Sequence, residues 1–281
     1  MTRHMALACT ALAMLAFAAN SLLCRQALAH SAIDPATFTT VRIASGALTL
    51  WLIVRRRRGV AASGGSWPAS LALFVYAAAF SFAYTQLTAA TGALLLFGAV
   101  QVTMVGVGLA HGERLRGLGL AGFAVALLGL VALLLPGLSA PPWSAAALML
   151  SAGAAWGVYS LRGRGQHDPL GATAGNFARA LLPAIALSAA TITAASADPV
   201  GLLCAVGSGA VASGVGYAIW YAALPHLSTT AAATAQLSVP IVAALAAAVV
   251  LDEPLTIRVA TCSAIVLGGI ALVLFGGRDK A

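Results

Sequence analysis

The chain has 281 residues, of which 61% are hydrophobic and only 8% are charged, and its formal net charge is +8. So few charged residues exclude a water-soluble globular protein, because its surface would be left apolar. The apolar runs are long and show no alternation of polar residues, so they predict membrane-spanning α-helices and not a membrane β-barrel.

Ten apolar runs approach the roughly 20 residues that a membrane-spanning helix needs. We predict spans at residues 5–23, 35–54, 68–86, 88–110, 115–135, 143–161, 171–190, 200–224, 229–251 and 257–275. The first run is too long for the apolar core of a secretion signal, so we interpret it as a retained helix. The four cysteines lack metal-ligand spacing and are interpreted as packing residues, and no metal or cofactor is expected.

Basic residues concentrate in alternate connections between the spans. With the N-terminus in the cytoplasm, eleven lysines and arginines lie inside, including the block 55–58, and only Arg25 and Arg258 lie outside. This bias predicts that both termini face the cytoplasm of a bacterial cell with the protein in its inner membrane. The arginine block is interpreted as an anchor at anionic lipid, not as a nucleic-acid site.

The order of features in the first half returns in the second. An apolar run precedes Glu113 in one half and Glu253 in the other, and each glutamate is followed at the same distance by a glycine, Gly129 or Gly269. The pattern predicts two five-helix units, residues 1–137 and 138–281. Because five is an odd number of crossings, the second unit is expected to lie inverted in the membrane, an architecture that suits alternating access.

Several short motifs together resemble one known family. They are an arginine in the second helix of each half (Arg42 and Arg179), the breaks after Glu113 and Asp252, and the stretch 214–217. Their order is similar to that of the drug/metabolite transporter superfamily, in its EamA-type branch, and residues 94–104 resemble the fourth helix of aromatic amino-acid exporters of the YddG type. The resemblance implies a ten-helix transporter. Many relatives have a proline in the middle of that fourth helix, as the ninth span does with Pro240, whereas here Val100 and Gln101 occupy that region.

The positions of the acidic residues argue against proton-coupled export of cations. All seven lie at predicted span ends or in loops, and the superfamily's small multidrug-resistance proteins have a glutamate where this chain has Asn20. Proton-coupled exporters of cations usually need an intramembrane carboxylate. We therefore expect a facilitator and not a strong proton antiporter of organic cations.

Polar and aromatic residues inside the spans outline a candidate cavity. Amides and hydroxyls can bind the charged groups of a zwitterion, and aromatic rings suit an apolar side chain. The candidate substrate-binding residues are Asn20, Phe80, Tyr84, Phe97, Gln101, Trp156, Tyr159, Tyr217, Trp220, Tyr221, Gln236 and Ser238.

Each candidate has an alternative interpretation. Tryptophan and tyrosine near span ends are usually interface anchors, which we predict outright for Trp51, Trp67, Trp143 and Tyr76. For Gln101 and Gln236, the alternative to substrate binding is a hydrogen bond between helices.

Five further residues are predicted to act in structure or gating. Arg42 and Arg179 could bind a substrate carboxylate, but bracing or gating near opposite mouths is favoured. Glu113 and Glu253 are expected at opposite mouths, and Pro240 is placed where a kink would open a cavity.

The sequence favours an exporter of aromatic or other apolar amino acids and related metabolites, with amino acids and the lipid bilayer as partners and no nucleic acid. A proton-coupled drug or metabolite exporter and a phosphorylated-metabolite exchanger stay open as alternatives, and the latter should show several cations around one cavity. An enzyme is not expected, because the five histidines lie at or beyond span ends and no acid lies within a span. The oligomeric state is left open, and a monomer is compatible with the pattern.

Overall fold

The computed structural model of the chain describes residues 2–58, 64–111, 117–137, 140–163, 166–227 and 235–276. These residues are almost entirely helical and contain no strand, which confirms the predicted all-α membrane fold class. Ten helices are seen among them. They are α1 Arg3–His30, α2 Pro35–Arg58, α3 Trp67–Tyr84, α4 Ala89–Ala110, α5 Leu118–Leu134, α6 Trp143–Gly163, α7 Pro169–Ala190, α8 Pro199–His226, α9 Ser238–Val250 and α10 Ile257–Gly276.

Eight of these helices are long and apolar enough to cross a membrane. The other two are apolar but shorter, since α5 has 17 residues and the described α9 has 13. Residues 228–234 of the predicted ninth span lie outside the described residues. Two helices extend beyond the predicted spans, because α1 continues past residue 23 to His30 and α2 past residue 54 to Arg58. Helix α1 continues through Arg25 because the charge of Arg25 is paired with Glu253. Helix α2 continues through the arginine block 55–58 because arginine is a good helix former.

Several pairs of helices make equivalent contacts when the two halves are exchanged. Helix α3 packs on α6 as α1 packs on α8, and α4 packs on α6 as α1 packs on α9. The pairs α2–α7, α4–α9 and α5–α10 join helices that occupy the same position in each half. These contacts are therefore matched when each helix is replaced by the one five places along the chain.

Helix α8 contains a π-helical segment, Gly207–Val215, between two α-helical segments. This segment packs on α2, where a side chain at Gly209 would collide with the carbonyl group of Arg42. The glycine therefore permits a close approach of the two backbones. Wide helical turns of this kind often occur at functional sites.

Candidate functional site

A small internal cavity lies between α1, α3, α4, α6 and α8. Six of the predicted substrate-binding residues line it: Asn20, Phe80, Phe97, Trp156, Tyr217 and Gln236. Its volume is about 30 Å³. That is room for a water molecule or two, so the helices must separate before anything larger can enter.

Aromatic side chains along one side of this cavity form a continuous chain of ring contacts, which we call the aromatic wall. It runs from Tyr84 to Phe80 (4.7 Å between ring centroids), to Tyr76 (5.4 Å), to Trp156 (4.8 Å) and to Tyr217 (5.4 Å). Such distances are typical of favourable aromatic pairs. The wall joins α3 of the first half to α6 and α8 of the second, so it links the two halves across the cavity.

Two further contacts extend the aromatic wall. Tyr159 stacks on Trp156 at 5.4 Å, and Phe17 of α1 lies edge-on to Tyr217 at 5.7 Å and to Trp220 at 6.1 Å. The structure therefore brings Tyr159 and Trp220, both predicted site residues, into contact with the cluster. Phe17 lines the cavity but escaped the sequence prediction.

Tyr76 is not the interface anchor that the sequence predicted. Its side chain is only 5% exposed, it lines the cavity, and it lies at the centre of the aromatic wall. The prediction was wrong because Tyr76 lies in the middle of the predicted span 68–86, away from both ends, and because helical spacing was ignored. Tyr76, Phe80 and Tyr84 are four residues apart and so share one face of α3, which is the signal that would have identified it.

Hydrogen bonds connect the hydroxyl group of Tyr76 to three helices. It accepts from Asn20 Nδ2 (3.3 Å) and from Arg42 Nη2 (2.9 Å), and Ser208 Oγ in turn donates to Asn20 Oδ1 (2.6 Å). The guanidinium of Arg42 also lies over the rings of Tyr76 (5.1 Å) and Phe80 (5.0 Å). Asn20 thus lines the cavity and also takes part in this hydrogen-bond network.

The two arginines that the sequence paired differ in their surroundings. Arg42 is 2% exposed and its Nη2 donates a hydrogen bond to the hydroxyl group of Tyr76. Arg179 is half-buried, and its Nη1 donates to the carbonyl oxygens of Gly64 (2.8 Å) and Gly175 (3.1 Å). Backbone carbonyls are the partners of a bracing arginine, so the geometry of Arg179 is that of a brace between α7 and the start of α3.

One end of the bundle, which we call the Glu253 end, is closed by a buried ion pair. Arg25 Nε lies 2.6 Å from Glu253 Oε1, and Arg25 Nη1 donates to the carbonyl oxygen of Tyr84 (3.0 Å). The second oxygen of Glu253 accepts the backbone N–H of Ala89 (2.7 Å), the first residue of α4. The pair therefore ties α1, α3 and α4 to the α9–α10 connection.

Two aspartates join the α1–α2 and α7–α8 connections at the same end. Asp34 accepts the backbone N–H groups of Ala36 and Ser196, and Asp198 accepts those of Ala32 and Gly201. Partial burial acts to raise the pKa of Asp34, but hydrogen bonds from Thr37, Ser196 and Ala36 outweigh it and the pKa lies below its usual value. Each aspartate thus caps its own helix and holds the opposite connection.

The other end, which we call the Arg162 end, has a second cavity of about 70 Å³. Its lining includes Tyr159 and Tyr221, which the sequence predicted for the site, together with Arg162 and Asn176. Tyr159 donates to Thr173 Oγ1 at 3.2 Å. The structure thus divides the predicted residues between a central cavity and one at the Arg162 end.

The remaining predicted residues lie elsewhere. Tyr84 is buried in the wall with its hydroxyl group 3.4 Å from the carbonyl oxygen of Ala89, and Ser238 Oγ donates to the carbonyl oxygen of Ala235. Gln101 and Pro240 line neither of the two cavities. Glu113 lies outside the described residues. Among the residues that the structure does describe, no group of three His, Cys, Asp or Glu side chains is arranged to hold a metal ion.

Three comparisons place the chain among known proteins. The sequence profile of the EamA-like transporter family matches residues 143–275. An uncharacterized protein of Pseudomonas aeruginosa is 57% identical over 266 residues, which cover 94% of this chain and 93% of the relative. A solved crystal structure shares 19% identity with a TM-score of 0.66 and covers 99% of this chain and 100% of its own. At that identity the structural likeness shows a shared fold alone.

Proposed function

We propose that the chain is a transporter of the EamA-like family, whose profile matches residues 143–275, and that it exports amino acids with aromatic or other apolar side chains across the bacterial inner membrane. The observation that carries the proposal is the central cavity. It combines the aromatic wall with neutral polar groups from Asn20, Ser213 and Gln236. Rings can surround an apolar side chain while amide and hydroxyl groups bind the polar end of the molecule.

The transport cycle proposed here uses two inverted five-helix halves that rock about the cavity. The matched packing of the halves supports this arrangement. So does the asymmetry of the two ends, because the Glu253 end is held by an ion pair and two aspartates while the Arg162 end contains a cavity. With the arginine-rich side in the cytoplasm, the structure corresponds to a state closed toward the outside.

A facilitative mechanism is the form of coupling that the sequence supports. The ten described helices contain no aspartate or glutamate, so none of them offers an intramembrane carboxylate for proton exchange. Exchange of phosphorylated metabolites is less well supported, because Arg42 is the one cation that adjoins the central cavity in the described part of the chain. The likeness of residues 94–104 to aromatic amino-acid exporters favours aromatic substrates within the amino-acid class.

Efflux from proteoliposomes tests the proposal. Vesicles loaded with labelled phenylalanine, tryptophan, methionine or threonine should release at least one of them faster than protein-free vesicles, with little change when a pH gradient is imposed. Trp156→Ala should reduce efflux at least about tenfold, because three favourable ring contacts of about 0.5–1.5 kcal/mol each are lost from the cavity wall. Trp143→Ala is the matched control, since Trp143 is 65% exposed and away from the cavity.

The two glutamines provide a second comparison. Gln236 lines the cavity and Gln101 does not, although both were predicted from sequence to bind substrate. Gln236→Ala should therefore lower efflux more than Gln101→Ala. Absence of movement for all four amino acids would overturn the proposed function, and equal effects of the two alanine variants would overturn the cavity assignment.

A further inference from the structure

The buried and unpaired charge of Arg42 is not explained by a purely structural role. It is the one basic side chain, among the described residues, that is fully buried. No ion pair of Arg42 is found in the described part of the chain, and its transmembrane neighbours supply no acid because every aspartate and glutamate lies outside the ten helices. An unpaired charge buried in this way is costly, so its retention indicates a ligand of opposite charge.

Hydrogen-bond donors exceed acceptors around the guanidinium. Nη1 of Arg42 is the single buried side-chain nitrogen or oxygen, within the described ranges, that has no hydrogen-bond partner. The Tyr76 oxygen already accepts two hydrogen bonds, so its own proton is free to be donated. An acceptor bearing negative charge and two oxygen atoms could bind both groups.

The guanidinium adjoins the central cavity. Arg42 does not line the cavity itself, but it lies over the rings of Tyr76 and Phe80, which do. Seven residues separate it from the start of α2, so it lies roughly 10 Å from the Glu253 end. A modest movement of the Tyr76 side chain would therefore open Nη1 to a ligand that entered from the Arg162 end.

We propose that Arg42 Nη1 and the Tyr76 hydroxyl bind the carboxylate of the transported molecule. The inference deepens the proposed function and rests on it for the claim that the bound molecule is also transported. It assigns the substrate class as monocarboxylates with an aromatic or apolar body. The carboxylate points toward the closed Glu253 end, and the apolar body lies along the aromatic wall.

Matched ligands test the carboxylate directly. The purified protein is titrated in detergent with 3-phenylpropionate, with 3-phenylpropanamide and with phenethylamine, which share the ring and differ in the charged group, and its thermal unfolding midpoint is measured. The carboxylate should bind at least about tenfold more tightly than the amide or the amine, as expected for a charge-assisted pair of hydrogen bonds. Equal binding of the three ligands, or binding of none, would overturn the proposal.

Variants locate the effect at Arg42. Arg42→Gln should remove the preference for 3-phenylpropionate over its amide, and Arg42→Lys should keep part of it. Arg179→Gln is the control and should keep the full preference, because the Arg179 side chain already donates to two backbone carbonyls. A preference that survives in Arg42→Gln would contradict the assignment. If Arg42→Gln does not fold, Tyr76→Phe replaces it and should weaken the preference while leaving the ring contacts in place.

The experiment separates this inference from the function on which it rests. If proteoliposomes move phenylalanine and phenylalaninamide equally well, the carboxylate site is wrong and amino-acid transport stands. If 3-phenylpropionate binds through Arg42 and no amino acid is transported, the site stands and the proposed amino-acid export is wrong.

Discussion

At the scale of single residues, the ion pair between Arg25 and Glu253 holds the Glu253 end together. Their side chains are 15% and 8% exposed, so both charges are largely removed from water. Each also satisfies a helix end, because Arg25 binds the last carbonyl of α3 and Glu253 the first N–H of α4. Removing one partner leaves the other charge buried without compensation, which is far more damaging than removing both.

A double-mutant cycle tests this coupling. Arg25→Gln and Glu253→Gln should each lower the free energy of unfolding by about 3 kcal/mol, whereas the double variant should lose less than the sum of the two. Unfolding in detergent, followed by circular dichroism or by thermal shift, gives the three values. Additive losses would show that the two charges do not interact in the folded protein.

A native cysteine reports whether this end opens. Cys24 precedes Arg25 in α1 and is 0% exposed, and Cys262 of α10 is also buried. With the other cysteines replaced by serine, Cys24 should react slowly with a membrane-impermeant maleimide in the wild-type background and at least about tenfold faster when Glu253→Gln is added. In a second protein that keeps Cys262 as its single cysteine, the same reagent should label Cys262 at a rate that Glu253→Gln leaves unchanged. Unchanged labelling of Cys24 would mean that the ion pair does not control access.

At the scale of helices, α5 and α10 are joined by glycines that let their backbones touch. A side-chain carbon at Gly269 would lie 2.5 Å from the backbone nitrogen of Ala126 and 2.6 Å from the carbonyl oxygen of Gly122. Backbone atoms inside a helix cannot move aside as a flexible side chain can. Small residues are the usual means of close helix packing in membranes, and here the contact is reciprocal because Gly122 meets Gly269 in the same way.

Substitution of the neighbouring glycines Gly268 and Gly269 by alanine is therefore expected to have different effects on stability. Gly269→Ala should lower the free energy of unfolding by roughly 1–3 kcal/mol, because the added methyl group overpacks the α5–α10 contact. Gly268→Ala meets no atom within 4 Å and should leave stability unchanged or raise it slightly, since alanine is the better helix former. Thermal unfolding of the two variants side by side decides the matter. Equal losses in the two variants would contradict the packing explanation, because a methyl group at position 268 meets no atom within 4 Å.

The aspartate caps predict how acid affects the Glu253 end. The pKa of Asp34 is lower in the folded protein than in the unfolded chain, whose value is about 3.9. Ionised Asp34 therefore stabilises the fold above about pH 4–5, and this contribution is lost as the pH falls through the lower folded pKa. Unfolding midpoints measured from pH 7 to pH 3 should fall for the wild type and fall less for Asp34→Asn. A parallel decline in the two proteins would assign the acid sensitivity to other groups.

The face that each helix turns inward was harder to predict from the sequence than the presence of the helix. Long apolar runs identified each helix, but a helix that is apolar all round does not show which face is turned inward. Aromatic residues partly supplied that information, and Phe80, Trp156 and Tyr217 do line the cavity. Gln101 lies one turn beyond Phe97 on α4 and does not, because the exposure of α4 increases from residue 101 onward.

At the scale of the whole molecule, the two arginines that oppose the charge bias are both engaged in contacts. Arg25 pairs with Glu253, and Arg258 donates to the carbonyl oxygens of Ala132 and Leu135 at the end of α5. Because the two charges are bound by groups within the protein, they contribute little to the asymmetry of lysine and arginine that orients the protein in the membrane. The long-range partners of both arginines could not be read from the sequence, since residues 25 and 253 lie far apart along the chain.

These contacts lead to a prediction of topology. Because Arg25 and Arg258 are bound within the fold, the remaining eleven lysines and arginines outside the spans should orient the protein with both termini in the cytoplasm. Green fluorescent protein fused to the C-terminus should then fluoresce, while alkaline phosphatase fused there should be inactive. Phosphatase fused after Gly137, at the end of the first five helices, should be active, because an odd number of crossings carries it to the periplasm. The opposite result at either site would contradict the inverted arrangement, and the Glu253 end could then no longer be assigned to the outer face.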